Sequence, residues 1–168
     1  ADTGKMKWYY QTTPGDNWDY TATQDIMLAD IKVDGIERKV LMQAPKNGFF
    51  YVLDRKNGEL LRAHKYTEVN WATHVDMETG RPVENPEKDY TNEKQWILPG
   101  ALGGHNWQAM SFDPELGLVF IPEQKSTTIY KMTEEWQQTG KIKYKAKSWN
   151  TGIEIAKYLD LALTTLDA

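Results

Sequence analysis

Short apolar runs alternate with turn residues along most of the chain, and helical spacing of apolar positions is scarce. Met6 to Thr12, Ile26 to Ile31, Arg38 to Gln43 and Phe49 to Leu53 are rich in aromatic, β-branched or aliphatic side chains. Gly117 to Ile121, Thr127 to Met132 and Ile142 to Ala146 have the same character. Each run has the length of an ordinary strand and is bounded by Gly, Pro, Asn or Asp. Asp34-Gly35 separates two of them and predicts a hairpin, because both residues tolerate positive φ at the centre of a turn. Thr133 to Thr139 (TEEWQQT) predicts one short helical turn, and Ile153 to Leu163 fits either state. Evenly spaced short strands with little helix predict an all-β sandwich, barrel or propeller.

The turns repeat. Asp54 to Gly58, Asp76 to Gly80 and Asp113 to Gly117 share the spacing Asp-x-x-x-Gly. The opening Asp2-Thr3-Gly4-Lys5 reads as the second half of such an element, and Leu166-Asp167-Ala168 as the first half. A tight strand-turn-strand accounts for the spacing: the Asp side chain caps the turn and Gly takes its left-handed position. One copy is commonplace in β proteins, but several in register point to a repeat architecture. A chain broken at one point of its own repeat is expected to be a set of blades cut from a longer protein.

Composition narrows the function classes. The 168 residues suffice for one ordinary core, and 40% hydrophobic with 26% charged residues is globular. Seven Trp and nine Tyr against four Phe favour aromatics with a polar handle, suited to sheet surfaces and polar pockets. A formal charge of −4 gives no reason to expect nucleic acid or an anionic membrane as a partner. No apolar stretch approaches the roughly 18–20 residues of a transmembrane helix. The absence of Cys excludes disulfides, thiolate zinc and a Cys nucleophile within the chain. His64, His74 and His105 lack a helical His-x-x-x-His spacing, which argues against zinc.

The order of the remaining motifs is specific. Ala1-Asp2-Thr3-Gly4-Lys5-Met6-Lys7-Trp8 with Gln11 is followed by Thr13-Pro14-Gly15-Asp16-Asn17-Trp18-Asp19-Tyr20 and Leu28-Ala29-Asp30-Ile31. Next come Gln43 to Arg55 (QAPKNGFFYVLDR) and Gly103-Gly104-His105-Asn106-Trp107-Gln108, leading into Met110-Ser111-Phe112-Asp113-Pro114. Together these resemble the propeller of the alcohol dehydrogenases that use pyrroloquinoline quinone (PQQ), over residues 1 to about 122, with a weak match beyond. The opening resembles that family's tryptophan-docking motif, whose Trp packs on the neighbouring blade. Residues 18 to 24 look nearest to the periplasmic quinohaemoproteins, which carry a cytochrome c domain after the propeller.

The resemblance implies an all-β fold in which residues 1–168 form about three blades of an eight-bladed propeller. It also implies an oxidoreductase that takes primary alcohols to aldehydes by hydride transfer to PQQ and passes electrons to a cytochrome c or haem acceptor. No Cys-x-x-Cys-His occurs, so haem c would belong to a further domain or a separate subunit. The implied location is the periplasm, with a signal peptide upstream. The isolated fragment is expected to be inactive. A sugar or polyol dehydrogenase on a similar propeller, or a non-catalytic PQQ-repeat scaffold, are the competing readings. A scaffold has no reason to keep Asp19, Lys46 and Asn106 together.

Site roles follow from the same resemblance. Asp19 takes the place of the catalytic base; flanking by Trp18 and Tyr20 is expected to desolvate it and raise its proton affinity. Read from its own segment, it equally fits a turn cap after Pro14-Gly15. Lys46 takes the place of the cation that polarises the quinone oxygens, on a loop pinned by Pro45 and Gly48; read alone, it fits better as a solvated turn lysine beside Asn-Gly. Asn106 would hydrogen-bond the cofactor and Trp107 would wall its pocket. The implied cation is Ca²⁺, with Asp19 as a ligand as well as base. Lanthanide relatives carry an extra acid where this chain has Thr21. The family's other ligands (a Glu and an Asn), its adjacent-cysteine disulfide and the Trp under PQQ are expected before residue 1. Asp19 and Lys46 are expected from successive blades, on opposite sides of a shared quinone.

Overall fold

The computed structural model describes residues 2–147 and 151–155. Its main unit is a four-stranded antiparallel meander of β1 (Met27–Val33), β2 (Ile36–Gln43), β3 (Phe49–Asp54) and β4 (Leu60–Lys65), hydrogen-bonded in that order. Asp34 (φ 52°) and Gly35 (φ 78°) both take the left-handed conformation between β1 and β2, which pairs Val33 with Ile36. In β3 almost every residue is buried, because both faces of the sheet are covered. Phe49 and Tyr51 join Trp18, Tyr20, Trp71, Val75, Tyr90, Ile97 and Tyr130 in one core. Val40, Met42, Val52 and Leu61 form a second core on which Phe112 and Val119 pack.

Smaller sheets flank this unit. β5 (Ala72–Asp76) and β6 (Arg81–Glu84) form a hairpin, as do β8 (Ser111–Asp113) and β9 (Leu118–Phe120). β7 (Gln95–Ile97), β10 (Thr128–Met132) and β11 (Ile153–Ile155) make a three-stranded sheet in the order β11-β10-β7. The helix α1 (Glu134–Thr139) starts on Thr133, whose hydroxyl accepts from Trp136 N, and ends on left-handed Gly140. Among the described residues, no helix is long and apolar enough to cross a membrane.

The Asp-x-x-x-Gly elements behave as their spacing requires. Asp54 Oδ1 accepts from Lys56 N (2.9 Å), Asp76 Oδ1 from Glu78 N (3.0 Å) and Asp113 Oδ1 from Glu115 N (2.9 Å). Gly58, Gly80 and Gly117 sit at φ 78°, 70° and 67°. Two of the turns receive an aromatic ring. The Trp8 indole covers Gly58 and donates to Arg55 O (3.2 Å), and the Tyr10 hydroxyl donates to Gly80 O.

Two expected strands are absent. Met6 to Thr12 pairs with no strand; its alternate side chains Trp8 and Tyr10 instead dock on turns, while Met6 (76%) and Tyr9 (69%) stay exposed. Ile142 to Ala146 is coil: its apolar positions alternate with Lys143 and Lys145, and Tyr144 is 76% exposed, so no buried face holds a ladder. Of the ambiguous tail, Ile153–Ile155 is strand; the rest, and the half-turn at 166–168, lie outside the described residues.

Gly58→Ala is expected to cost about 1–3 kcal/mol more than Gly117→Ala in thermal or denaturant unfolding. Both glycines are left-handed, but a Cβ at Gly58 meets Trp8 Cε3 at 2.7 Å while Gly117 faces open space. Equal losses would show that Trp8 does not bear on the turn. Acid dependence follows from the caps. Backbone amides, chiefly of Lys56 and Thr79, hold the Asp54 and Asp76 carboxyls below their ordinary 3.8. The folded state therefore binds fewer protons than the unfolded chain, so the contribution is complete above 3.8 and is lost as pH falls through the lowered values. Asp54→Asn with Asp76→Asn should flatten the fall in melting temperature between about pH 5 and about pH 2.

Candidate functional site

The segment after β2 is a loop, yet Ala44, Pro45, Lys46, Asn47 and Gly48 are all buried. A buried loop must satisfy its polar groups internally. Asn47 supplies most of the partners: its Nδ2 donates to Thr12 O (3.0 Å) and Tyr51 Oη (2.9 Å), its Oδ1 accepts from Phe49 N (3.0 Å), and its carbonyl accepts from Trp71 Nε1 (2.8 Å). Tyr66 Oη closes the loop on Pro45 O at 2.7 Å. Lys46, only 8% exposed, is held with its ammonium inside this frame.

What meets that ammonium is Asp19. Lys46 Nζ donates to Asp19 O at 3.0 Å and lies 3.3 Å from Asp19 Oδ2. Asp19 is left-handed at φ 66°, unusual for a non-glycine residue, and its neighbours fix it there. Tyr90 Oη donates to Asn17 O (2.7 Å) and Tyr130 Oη to Trp18 O (2.8 Å). With Lys46 on Asp19 O, three successive carbonyls are anchored by side chains from other elements. Burial pushes the Tyr90 phenol up to about 12 and the Tyr130 phenol up as well, so both stay protonated donors. On the next residue, Tyr20 donates to Pro99 O.

The arrangement differs from expectation in two respects. Asp19 and Lys46 do not stand apart on two sides of a cavity: Asp19 lies on the segment leading towards β1, Lys46 on the loop leaving β2, and their side chains touch directly. Trp18 and Tyr20 do not wall the Asp19 carboxylate either. They turn inward and pack on Trp71 at ring distances of 4.7 and 5.4 Å, leaving the Asp19 side chain 69% exposed. Left-handed backbone at Asp19 points it away from its aromatic neighbours. Nearby, desolvation first and the Asp19 charge as well push the Asp16 carboxyl up, opposed by the Trp18 and Tyr20 amides and the Lys46 charge. Sequence reading missed Asp16; its place two residues before Trp18, whose amide it caps at 2.9 Å, was the available signal.

The segment from Gly103 to Gln108 docks on the same loop. Gly104 N donates to Lys46 O (3.1 Å), and a Cβ on Gly103 would fall 2.6 Å from Lys46 Cγ. Gly103 at φ 83° is therefore required both by its backbone and by the close approach of Lys46. Asn106, partly buried, spends one amide bond on Leu102 O (3.0 Å). Trp107 is 79% exposed, so within this chain its ring does not form the expected pocket wall. Among the described residues there is no group of three or more His, Cys, Asp or Glu side chains that could hold a metal ion.

A family profile described as PQQ, glucose/ethanol/alcohol dehydrogenase, β-propeller domain, matches residues 1–82 and 72–160. The chain belongs to this family. The match runs well past residue 122, so the weak resemblance of the last third was an underestimate. The chain is 51% identical over 160 residues to quinohemoprotein alcohol dehydrogenase ADH IIB of Pseudomonas putida, covering 95% of this chain and 22% of that protein. It is similar to the crystal structure of the quinohemoprotein alcohol dehydrogenase of Comamonas testosteroni, with TM-score 0.83, 41% identity and coverage of 94% and 24%. A europium-containing methanol dehydrogenase aligns with TM-score 0.79 and 36% identity, over 92% and 26%. The chain thus spans about a fifth of the length of the curated relative, and its nearly all-β fold is part of a PQQ β-propeller.

Tyr130→Phe removes the donor from the buried Trp18 carbonyl. It should cost about 1–3 kcal/mol in denaturant unfolding. A loss within error of zero would mean that the phenol does not anchor the backbone at Asp19.

Proposed function

We propose that this chain contributes the catalytic base and the quinone-facing cation to a PQQ-dependent dehydrogenase of primary alcohols. The supporting observation is the contact between the exposed Asp19 carboxylate and the buried Lys46 ammonium. Residues 1–168 are read as one fragment of the propeller domain. Large apolar side chains left in solvent on two sheets, among them Leu28 (61%), Ile36 (57%) and Phe120 (53%), support that reading as faces that further blades would cover.

The donor set suits PQQ, a planar ortho-quinone bearing carboxylates. Such a ligand offers oxygen acceptors, and Lys46 Nζ has a third proton beyond its two bonds to Asp19. Asn106 spends one amide hydrogen on Leu102 O and retains a second. Bound PQQ supplies the two-electron acceptor for the hydride of the alcohol. Lys46 holds positive charge at a fixed point where negative charge develops during oxidation, and its buried setting keeps that charge from being screened by water. Asp19, exposed next to it, accepts the hydroxyl proton of the alcohol at its carboxylate. Asn106 is assigned to orient the cofactor, and the exposed Trp107 ring to pack against it once it is bound.

A Ca²⁺ ion is the proposed metal, with Asp19 as one ligand. The described residues supply no complete coordination sphere, so no step here runs through the metal. Thr21, an uncharged residue two positions after Asp19, favours Ca²⁺ over a lanthanide. The proposed electron acceptor is a cytochrome c or haem domain, in line with the relatives named quinohemoproteins; the proposed compartment is the periplasm, as the sequence resemblance implies.

In the full-length protein, Asp19→Asn should abolish alcohol oxidation while largely sparing PQQ binding, measured by dye-linked turnover and PQQ titration. Retained turnover would assign the base elsewhere. The isolated chain should neither bind PQQ tightly nor oxidise ethanol; measurable turnover by the 168-residue fragment would contradict the fragment reading.

A further inference from the structure

His105 is fully buried, and both of its ring nitrogens face main-chain oxygens. Nδ1 lies 2.8 Å from Ala44 O and Nε2 2.6 Å from Gln108 O. Ala44 comes two residues before Lys46, and Gln108 two residues after Asn106. One imidazole therefore spans the loop that carries Lys46 and the segment that carries Asn106. The bridge continues on both sides. Gly104 N donates to Lys46 O at 3.1 Å, and Gln24 Nε2 donates to His105 O at 3.3 Å. Gln43 Nε2, one residue before Ala44, donates to Ala22 O (3.2 Å) and Gln24 O (2.8 Å). This buried polar network ties together the three segments that bear Asp19, Lys46 and Asn106.

Filling space would need no nitrogen at either end of the ring. Carbonyl oxygens only accept, so each contact acts through an N–H: the neutral imidazole donates to one of the two carbonyls and the imidazolium to both. An isosteric apolar ring would keep the volume and lose the link. Among the described residues the Asn106 side chain bonds to Leu102 O alone, so its placement follows that of the backbone, which His105, Gly104 N, Gln124 and Ser126 hold.

We propose that His105 is a positioning residue whose imidazole clamps the Asn106 segment onto the Lys46 loop, setting the spacing of two groups that face PQQ. The inference rests on the site reading given under the proposed function. His105 touches main chain at both ring nitrogens and takes no part in proton transfer.

The test is a double-mutant cycle in the full-length apoprotein, read by PQQ titration of the folded fraction. His105→Phe, which keeps a ring but no donor, should weaken PQQ binding about tenfold. Its KM for alcohol at saturating PQQ should stay within about twofold, a split that a general loss of folded protein does not produce. On an Asn106→Ala background the same substitution should add less than about twofold, because the clamp acts through Asn106. His105→Gln, a milder change that keeps an amide donor, should lose less than Phe and show the same dependence on Asn106. Wild-type PQQ affinity in His105→Phe, beside a weakened Asn106→Ala, would overturn the clamp alone. So would an equal loss in both backgrounds. Wild-type affinity in Asn106→Ala would instead overturn the site reading, and the clamp with it.

Discussion

A lysine ammonium inside a protein has to be met by oxygen, and in this chain the requirement falls on one residue. Lys46 exposes 10% of its side chain, and both of its bonds go to Asp19. Removing water from such a charge costs several kcal/mol unless hydrogen bonds replace it. Much follows from that demand. Asp19 offers its carbonyl and carboxylate together from a left-handed conformation, with Tyr90 and Tyr130 holding the two preceding carbonyls. The tyrosines come from the region of β6–β7 and from β10, so the site is held by the packing of several small sheets against the main one. The pair itself adds little stability, since the Asp19 carboxylate is 69% exposed and its attraction is screened. Its consequence is geometric: a fixed cation with an accessible carboxylate beside it.

Such a site needs a rigid frame, and the frame explains the composition of the chain. Asn47, Trp71, Tyr51 and Tyr66 each spend a polar atom on the loop around Lys46 while burying an apolar body or filling the core. That use of Tyr and Trp accounts for part of their excess over Phe; Tyr9, Trp96, Trp107 and Tyr144 are exposed instead. Gly103 and Gly104 serve the same end by omission, since any side chain there would collide with Lys46, Thr67 or Tyr66. Glycines and amphipathic aromatics thus divide the work of bringing backbone close, while Trp18 Nε1, Gln24 Oε1 and Gln108 Oε1 remain buried without a hydrogen-bond partner among the described residues.

The parts of this fold legible in the sequence were those fixed by local chemistry. Asp-x-x-x-Gly located the turns, and β2, β3 and β10 followed from apolar runs bounded by turn residues. β4 and β6 were harder to see. Arg62, His64 and Lys65 in one, and Arg81, Pro82 and Glu84 in the other, dilute the apolar signal, and tertiary pairing rather than propensity makes them strands. Met6 to Thr12 failed in the opposite sense: it has strand composition, but Trp8 and Tyr10 are committed to distant turns. At the site, residue chemistry alone suggested a solvated lysine at position 46. Only the order of motifs along the chain singled it out, and no local pattern reveals that a loop will be buried. The exposure of Asp19 was misread because sequence adjacency to Trp18 and Tyr20 says nothing of direction when the backbone turns left-handed. Asp16 escaped notice because its role is to cap the Trp18 amide.

The central claim is that Lys46 presents its remaining proton to the quinone while Asp19 keeps it in place. A crystal structure of the full-length protein loaded with PQQ tests this most directly. The account predicts Lys46 Nζ within hydrogen-bond distance of a quinone oxygen and still bonded to Asp19. PQQ bound with Lys46 Nζ turned away from it, or seated where neither residue can reach, would contradict the account.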